Sequence, residues 1–235
     1  MTERRDGQLE RVARARSAVR TATGAWAAKR DLAAALRELL AHLPGTAAPE
    51  EARRAIEPLI REAAARFAAA GRAESGGAGR PLYPGMEHFH DTGPLVGLSN
   101  AVAPPLELWI DVEARVVRGR GRFGTAYEGA PGILHGGFLA AAFDEILGMA
   151  TVFSGAPGMT RELSVRYLGP TRIDVELEFV GRFERAEGRS IFVSSECLAS
   201  GVRTAEASGV FTSVGEEKFE AFDQARRELL AKRPA

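Results

Sequence analysis

The residues best suited to chemistry lie in "EGAPGILHGGFLAAAFDEILGMA", positions 128 to 150. A loop carrying Pro131 and Gly132 closes on His135, Gly136 and Gly137, and an apolar helix is expected to run on to Phe153. Glycine lets a ligand approach the backbone closely. Free N–H groups at a helix start, at the positive end of its dipole, hold an oxyanion. Asp144 and Glu145 interrupt the middle of the apolar run. An ionised carboxylate is costly to bury without partners, so either one edge of the helix faces water or one acid has a task. Adjacent helical residues point about 100° apart, and at most one of the two needs a special place. Oxyanion donors two turns before a carboxylate are the beginning of an acyl-transfer site.

The same stretch resembles the hotdog-fold acyl-CoA thioesterases of the PaaI type, in the branch whose E-G-x-P-G loop precedes H-G-G. The strand-helix-strand order from about residue 95 to 214 also looks like a hotdog domain, and "GLSNAVAPPLELW" loosely looks like the lead-in of some longer bacterial members. The resemblance implies that Asp144, nine residues after His135, is the catalytic carboxylate. It implies that Thr160, sixteen residues further on, holds the water or orients that carboxylate. Gly136 would offer its N–H to the thioester carbonyl, with Gly137 and His135 completing the substrate-binding loop. His135 would shape the loop and bind near the thioester rather than act as general base. Asp144 would activate water or attack directly to give a mixed anhydride, and both routes stay open. Some relatives carry asparagine six residues before the histidine, where this chain has Gly129. The family implies no cofactor, an acyl-CoA or acyl-carrier thioester as substrate, and a homodimer or homotetramer whose sites lie across a subunit interface. Fatty and aryl acyl groups fit the resemblance equally.

These residues need elements to position them. Residues 8 to 43 read as helix, with Leu32, Leu36, Leu39, Leu40 and Leu43 on one face and Pro44-Gly45 as the stop. A second helix carries Ile56, Leu59, Ile60, Ala63 and Phe67, and Pro58 is expected to kink it or begin a fresh one. This arm is too small and alanine-rich to form a core alone, and is expected to pack on the rest of the protein or on a second copy. "GRAESGGAGRP" reads as a flexible connector. Next comes a strand region with Leu106, Leu108, Ile110 and Val112 in alternation. Four more strand candidates follow the apolar helix, with a bulge expected at Gly181. The expected class is α+β: a curved antiparallel sheet around a central helix, the hotdog fold. The boundaries read as 1–72 helical extension, 73–81 linker, 82–215 hotdog domain and 216–235 C-terminal helix.

The remaining features have plainer readings. Formal net charge is zero over 235 residues, which gives no electrostatic reason to expect nucleic acid or an anionic membrane. A single cysteine, Cys197, and a start without an apolar signal region point to a cytoplasmic protein. Cys197 lies in a strand pattern and reads as sheet filler. His88, His90 and Asp91 in "EHFHD" lack the partners a metal site needs, so no metal is expected. Arg118, Arg120 and Arg122 share one strand face, read as solvated rather than phosphate-binding. Two rivals to a thioesterase remain: a non-catalytic acyl-CoA-binding regulator with a hotdog ligand domain, and a hotdog hydratase or dehydratase.

Overall fold

A computed structural model describes residues 24–70, 91–104, 106–156 and 158–215, together with Ala22, Lys218, Ala221, Gln224, Ala225 and Glu228. The elements are α1 (Ala25–His42), α2 (Glu50–Ala69), β1 (Glu107–Asp111), β2 (Val116–Arg122), α3 (Gly136–Ala150), β3 (Gly158–Tyr167), β4 (Glu176–Glu187), β5 (Ser190–Ala199) and β6 (Val202–Ser213). Short 3-10 turns at Thr125–Tyr127 and Thr151–Ser154 flank α3. All six strands form one antiparallel sheet in the order β1-β2-β4-β5-β6-β3. The chain leaves β2, crosses the sheet as α3 and re-enters at the opposite edge as β3. β4 then returns to pair with β2, and β5 and β6 close the gap.

Helix α3 buries Leu139, Ala142, Phe143, Ile146, Leu147, Met149 and Ala150, which recur at three- and four-residue spacing. The sheet answers with Val117, Leu177, Phe179, Ile191, Val193, Cys197, Ala205 and Phe211. Each large side chain buried contributes roughly 1.5–3 kcal/mol, so this helix-sheet contact is where the fold gets its stability. By length and composition Gly136–Ser154 could cross a membrane; here the sheet occupies the place of lipid. Gly181 lets helix and sheet approach, since a Cβ there would lie 2.6 Å from Ile146 Cγ2.

Several expectations need correction. Val112 does not extend the first strand: it lies in the turn between β1 and β2 and is exposed. Gly181 is a point of close packing, and the irregularity in β4 falls between Phe183 and Arg185. Pro58 does not begin a fresh helix, since α2 runs through it. Of the two packings expected for the leucine face of α1, the one on the rest of the same chain is not found among the described residues, and packing on a second copy stays open. Instead Trp26, Arg30, Ala33, Arg37 and Ala41 turn toward the body, while Leu32, Leu36, Leu40 and Leu43 are exposed. Ala33 alone is fully buried, and polar contacts fix the helix around it. Arg30 Nε donates to Asp91 Oδ1 at 2.7 Å, Arg37 donates to the carbonyls of Leu98 and Asn100, and the Thr125 hydroxyl donates to the Ala41 carbonyl. Burial lowers the Arg37 guanidinium pKa. The linker, His88, His90 and residues 8–21 lie outside the described residues. The C-terminal segment is helical at the positions described.

Candidate active site

The site begins at the N-terminus of α3. Glu128 starts a loop that doubles back on itself: Gly129 N–H donates to the Ile133 carbonyl at 2.8 Å, and the Glu128 carboxylate accepts from Gly132 N–H. Gly132 has φ +74°, a conformation that favours glycine. The loop is then tied to the segment before β4, where Leu134 N–H donates to the Thr171 carbonyl and Ile173 N–H to that of Gly132.

His135 is the N-cap of α3, and its Nδ1 accepts from Gly137 N–H at 3.0 Å. An accepting Nδ1 carries a lone pair, so the ring proton belongs on Nε2 and that atom is a donor. A Cβ at Gly129 would come within 3.0 Å of the His135 Cα and 3.3 Å of its ring, so the imidazole occupies space that a side chain there would claim. The Gly136 N–H has no acceptor among the described residues. It points out of the helix start, where the dipole favours negative charge.

Asp144 lies two turns along the helix and is half-buried. Thr160 Oγ1 donates to Asp144 Oδ1 at 2.7 Å, and Oδ2 has no partner among the described residues. Glu145, its neighbour, is half-buried and engaged in an interaction of its own. Thr160 pairs with Phe211 of β6 and therefore faces the helix side of the sheet. The register then shifts between Thr160 and Glu162, and the extra residue resets the alternation. Tyr167, paired with Ala205, faces the helix as well, and its hydroxyl donates to the Gly136 carbonyl at 2.8 Å. Without the bulge Thr160 and Tyr167 would point to opposite faces. One edge strand thus supports both ends of the site.

The structure brings Asp144 to Thr160, and His135 to Gly136 and Gly137. Sequence reasoning missed Tyr167, whose position depends on the bulge, and Tyr127. The Tyr127 carbonyl accepts from His135 N–H at 3.0 Å, and its ring packs edge-on to Phe138 at 5.0 Å. Glu128 stood inside the quoted motif, so the signal was present without a role. Other candidates resolve otherwise. Asp91 is buried against Arg30 and Ser99, and among the described residues no group of His, Cys, Asp and Glu could hold a metal. Arg118 pairs with Asp111, and Arg120 with Glu107 and Glu176, the arrangement of a solvated sheet face. Cys197 is buried and its thiol is pushed up to about 12 by that burial, which removes it as a nucleophile.

The chain is similar in sequence and fold to known thioesterases and thioesterase-superfamily proteins. The sequence model of the thioesterase superfamily matches residues 131–205, a span containing His135, Asp144 and Thr160. Acyl-coenzyme A thioesterase THEM4 of Bos taurus is 31% identical over 97 residues, covering 40% of each chain. Its Xenopus laevis counterpart is 33% identical over 73 residues, 31% of this chain and 33% of that one. The chain thus matches at most two-fifths of the length of these curated relatives. A crystallised thioesterase superfamily protein aligns over 78% of this chain and 94% of its own, with TM-score 0.68 and 27% identity. The fold is a hotdog fold.

Proposed function

We propose that the protein hydrolyses acyl-CoA thioesters to free acid and thiol. The observation that carries this reading is the 2.7 Å bond from Thr160 to Asp144, on the flank of a helix whose glycine start offers an unused N–H. The thioester carbonyl accepts from Gly136 N–H, with the His135 Nε2–H beside it for the thioester region. Thr160 holds one oxygen of Asp144, leaving Oδ2 to face the carbonyl carbon. By one route Oδ2 takes a proton from water as the water oxygen bonds to that carbon; the C–S bond breaks and the thiolate leaves, taking up the proton. By the other, Oδ2 itself bonds to that carbon as the C–S bond breaks and the thiolate leaves; water then cleaves the anhydride to free acid and the restored Asp144 carboxylate, and its proton goes to the thiolate. The substrate is a fatty or aryl acyl group on CoA or on a carrier protein.

A second copy completes the site in this reading. Gly136 and Asp144 are eight residues apart on one helix, about 12 Å along its axis, too far for both to touch one carbonyl. β3 is a sheet edge with Met159, Tyr167 and Leu168 exposed beside it. Two copies related by a twofold across this face would bring the carboxylate of one opposite the glycine start of the other.

The test is thiol release from short, medium, long and aromatic acyl-CoAs by wild type and Asp144→Asn, with fold and oligomeric state checked in parallel. We expect wild-type turnover on at least one class and a loss of ~10²-fold or more in a folded mutant, the size typical of losing a general base. No turnover on any class, with acyl-CoA bound tightly by both proteins, would replace the enzyme with a non-catalytic acyl-CoA-binding regulator.

A further inference from the structure

Helix α2 is 20 residues long and buries none of them. Every residue on it except Ala52 is exposed, including Ile56, Leu59, Ile60 and Phe67. A helix in a protein draws most of its stability from packing an apolar face, and four large apolar side chains on one stripe are not what a solvated helix carries. Helix α1 presents a second such stripe, Leu32, Leu36, Leu40 and Leu43, because its docked face is the polar one built on Arg30, Ala33 and Arg37. The eight side chains are 39% to 64% exposed.

We infer that the α2 stripe of one chain covers the α1 stripe of a second copy, and the reverse, as a pair of exchanged arms. Three observations select this occupant. The stripes match in length: Leu32 to Leu43 and Ile56 to Phe67 each span eleven positions, about 16 Å of helix. Exchange covers both stripes in one isologous interface, whereas α2 against α2 leaves the α1 leucines in water. The area also suffices: at roughly 80 Å² removed per side chain, two copies bury about 1,300 Å², within the range of specific interfaces.

Charge argues against a lipid surface as the occupant. The polar side of α2 neutralises itself through Arg54–Glu50, Arg61–Glu57 and Arg66–Glu62 pairs four residues apart. A membrane-surface helix instead keeps a cationic polar face. The inference is independent of thioester hydrolysis and is read without turnover.

The test is directed disulfide formation between full-length chains. Cys197 is buried and does not compete. Leu36→Cys and Ile60→Cys chains bearing different tags are co-expressed, purified through both tags and oxidised. We expect a 36–60 linked heterodimer at least ten times above the yield when Arg61→Cys, on the polar side of α2, replaces Ile60→Cys. Yields equal to that control overturn the exchange. So does a chain carrying both Leu36→Cys and Ile60→Cys that closes on itself as a monomer, or linkage only between two Ile60→Cys chains. Wild type that floats with anionic vesicles, with no 36–60 product, overturns it in favour of lipid.

Discussion

At the scale of single residues, buried polar groups differ in whether they have partners. The Thr171 hydroxyl donates to that of Thr204 at 2.8 Å, and the Thr204 hydroxyl lies 4.0 Å from Cys197 Sγ. Ser195 Oγ, on the next helix-facing position of β5, is buried with no partner among the described residues. Cys197 has a consequence for pH. Its thiolate is disfavoured in the fold, so the folded chain keeps a proton that the unfolded chain releases above its ordinary value of 9.0. Stability linked to this thiol is complete below pH 9 and is lost as pH rises toward about 12. Denaturant titrations of wild type and Cys197→Ala from pH 8 to 11 should show the wild-type advantage shrinking over that interval. A constant gap would mean that the thiol is not held protonated.

At the scale of elements, the seating of α3 on the sheet governs both stability and the proposed site, because the helix carries the proposed oxyanion donors at one end and Asp144 in its middle. At Gly181 that seating leaves no room for a side chain, since a Cβ would lie 2.6 Å from Ile146 Cγ2. A Gly181→Ala chain must push Ile146 aside, at a cost of roughly 1–3 kcal/mol for an overpacked core. Urea unfolding should give a lower midpoint with an unchanged slope, and Ile146→Ala, which removes the Cγ2 that the new methyl meets, should cost less in this chain than in wild type. Equal midpoints for Gly181→Ala and wild type would mean that helix and sheet are not in tight register there. The bulge in β3 belongs to the same scale: one extra residue lets Thr160 and Tyr167 both face α3.

At the scale of the whole molecule, the arm is tied to the hotdog domain by few and specific bonds. Asp91 is fully buried and the Arg30 side chain nearly so. Breaking a buried pair from one side costs about 3 kcal/mol or more because the remaining charge is uncompensated. Asp91→Ala should therefore loosen α1 while leaving the sheet intact. Amide exchange along Ala25–His42 should accelerate at least tenfold, with the protection of β4, β5 and β6 unchanged. Uniform acceleration across the sheet would show instead that the arm and the domain unfold as one unit. The bond also bears on the site at a distance, since α1 holds the Leu98 and Asn100 carbonyls and, through Thr125, the turn that carries Tyr127 to His135.

Local pattern determined much of this protein by itself. The apolar spacing of Leu139, Phe143, Ile146 and Leu147 announces a wrapped helix, and alternation announces β3 to β6, because burial period is a property of the chain alone. His135-Gly136-Gly137, Asp144 and Thr160 are joined into one candidate set by the resemblance to hotdog thioesterases, not by periodicity; they lie within 26 residues and on adjoining elements. Tertiary structure decided what depends on partners distant in sequence. The order β1-β2-β4-β5-β6-β3 follows from α3 carrying the chain across the sheet. The place of Tyr167 follows from a register shift that no residue type in β3 signals. Periodicity puts the leucines of α1 on one face and leaves open whether that face meets the body or a second copy, because periodicity tells which residues share a face. It does not tell which face the neighbouring structure meets, and here Arg30 and Arg37 found buried oxygen acceptors that hold the other face down.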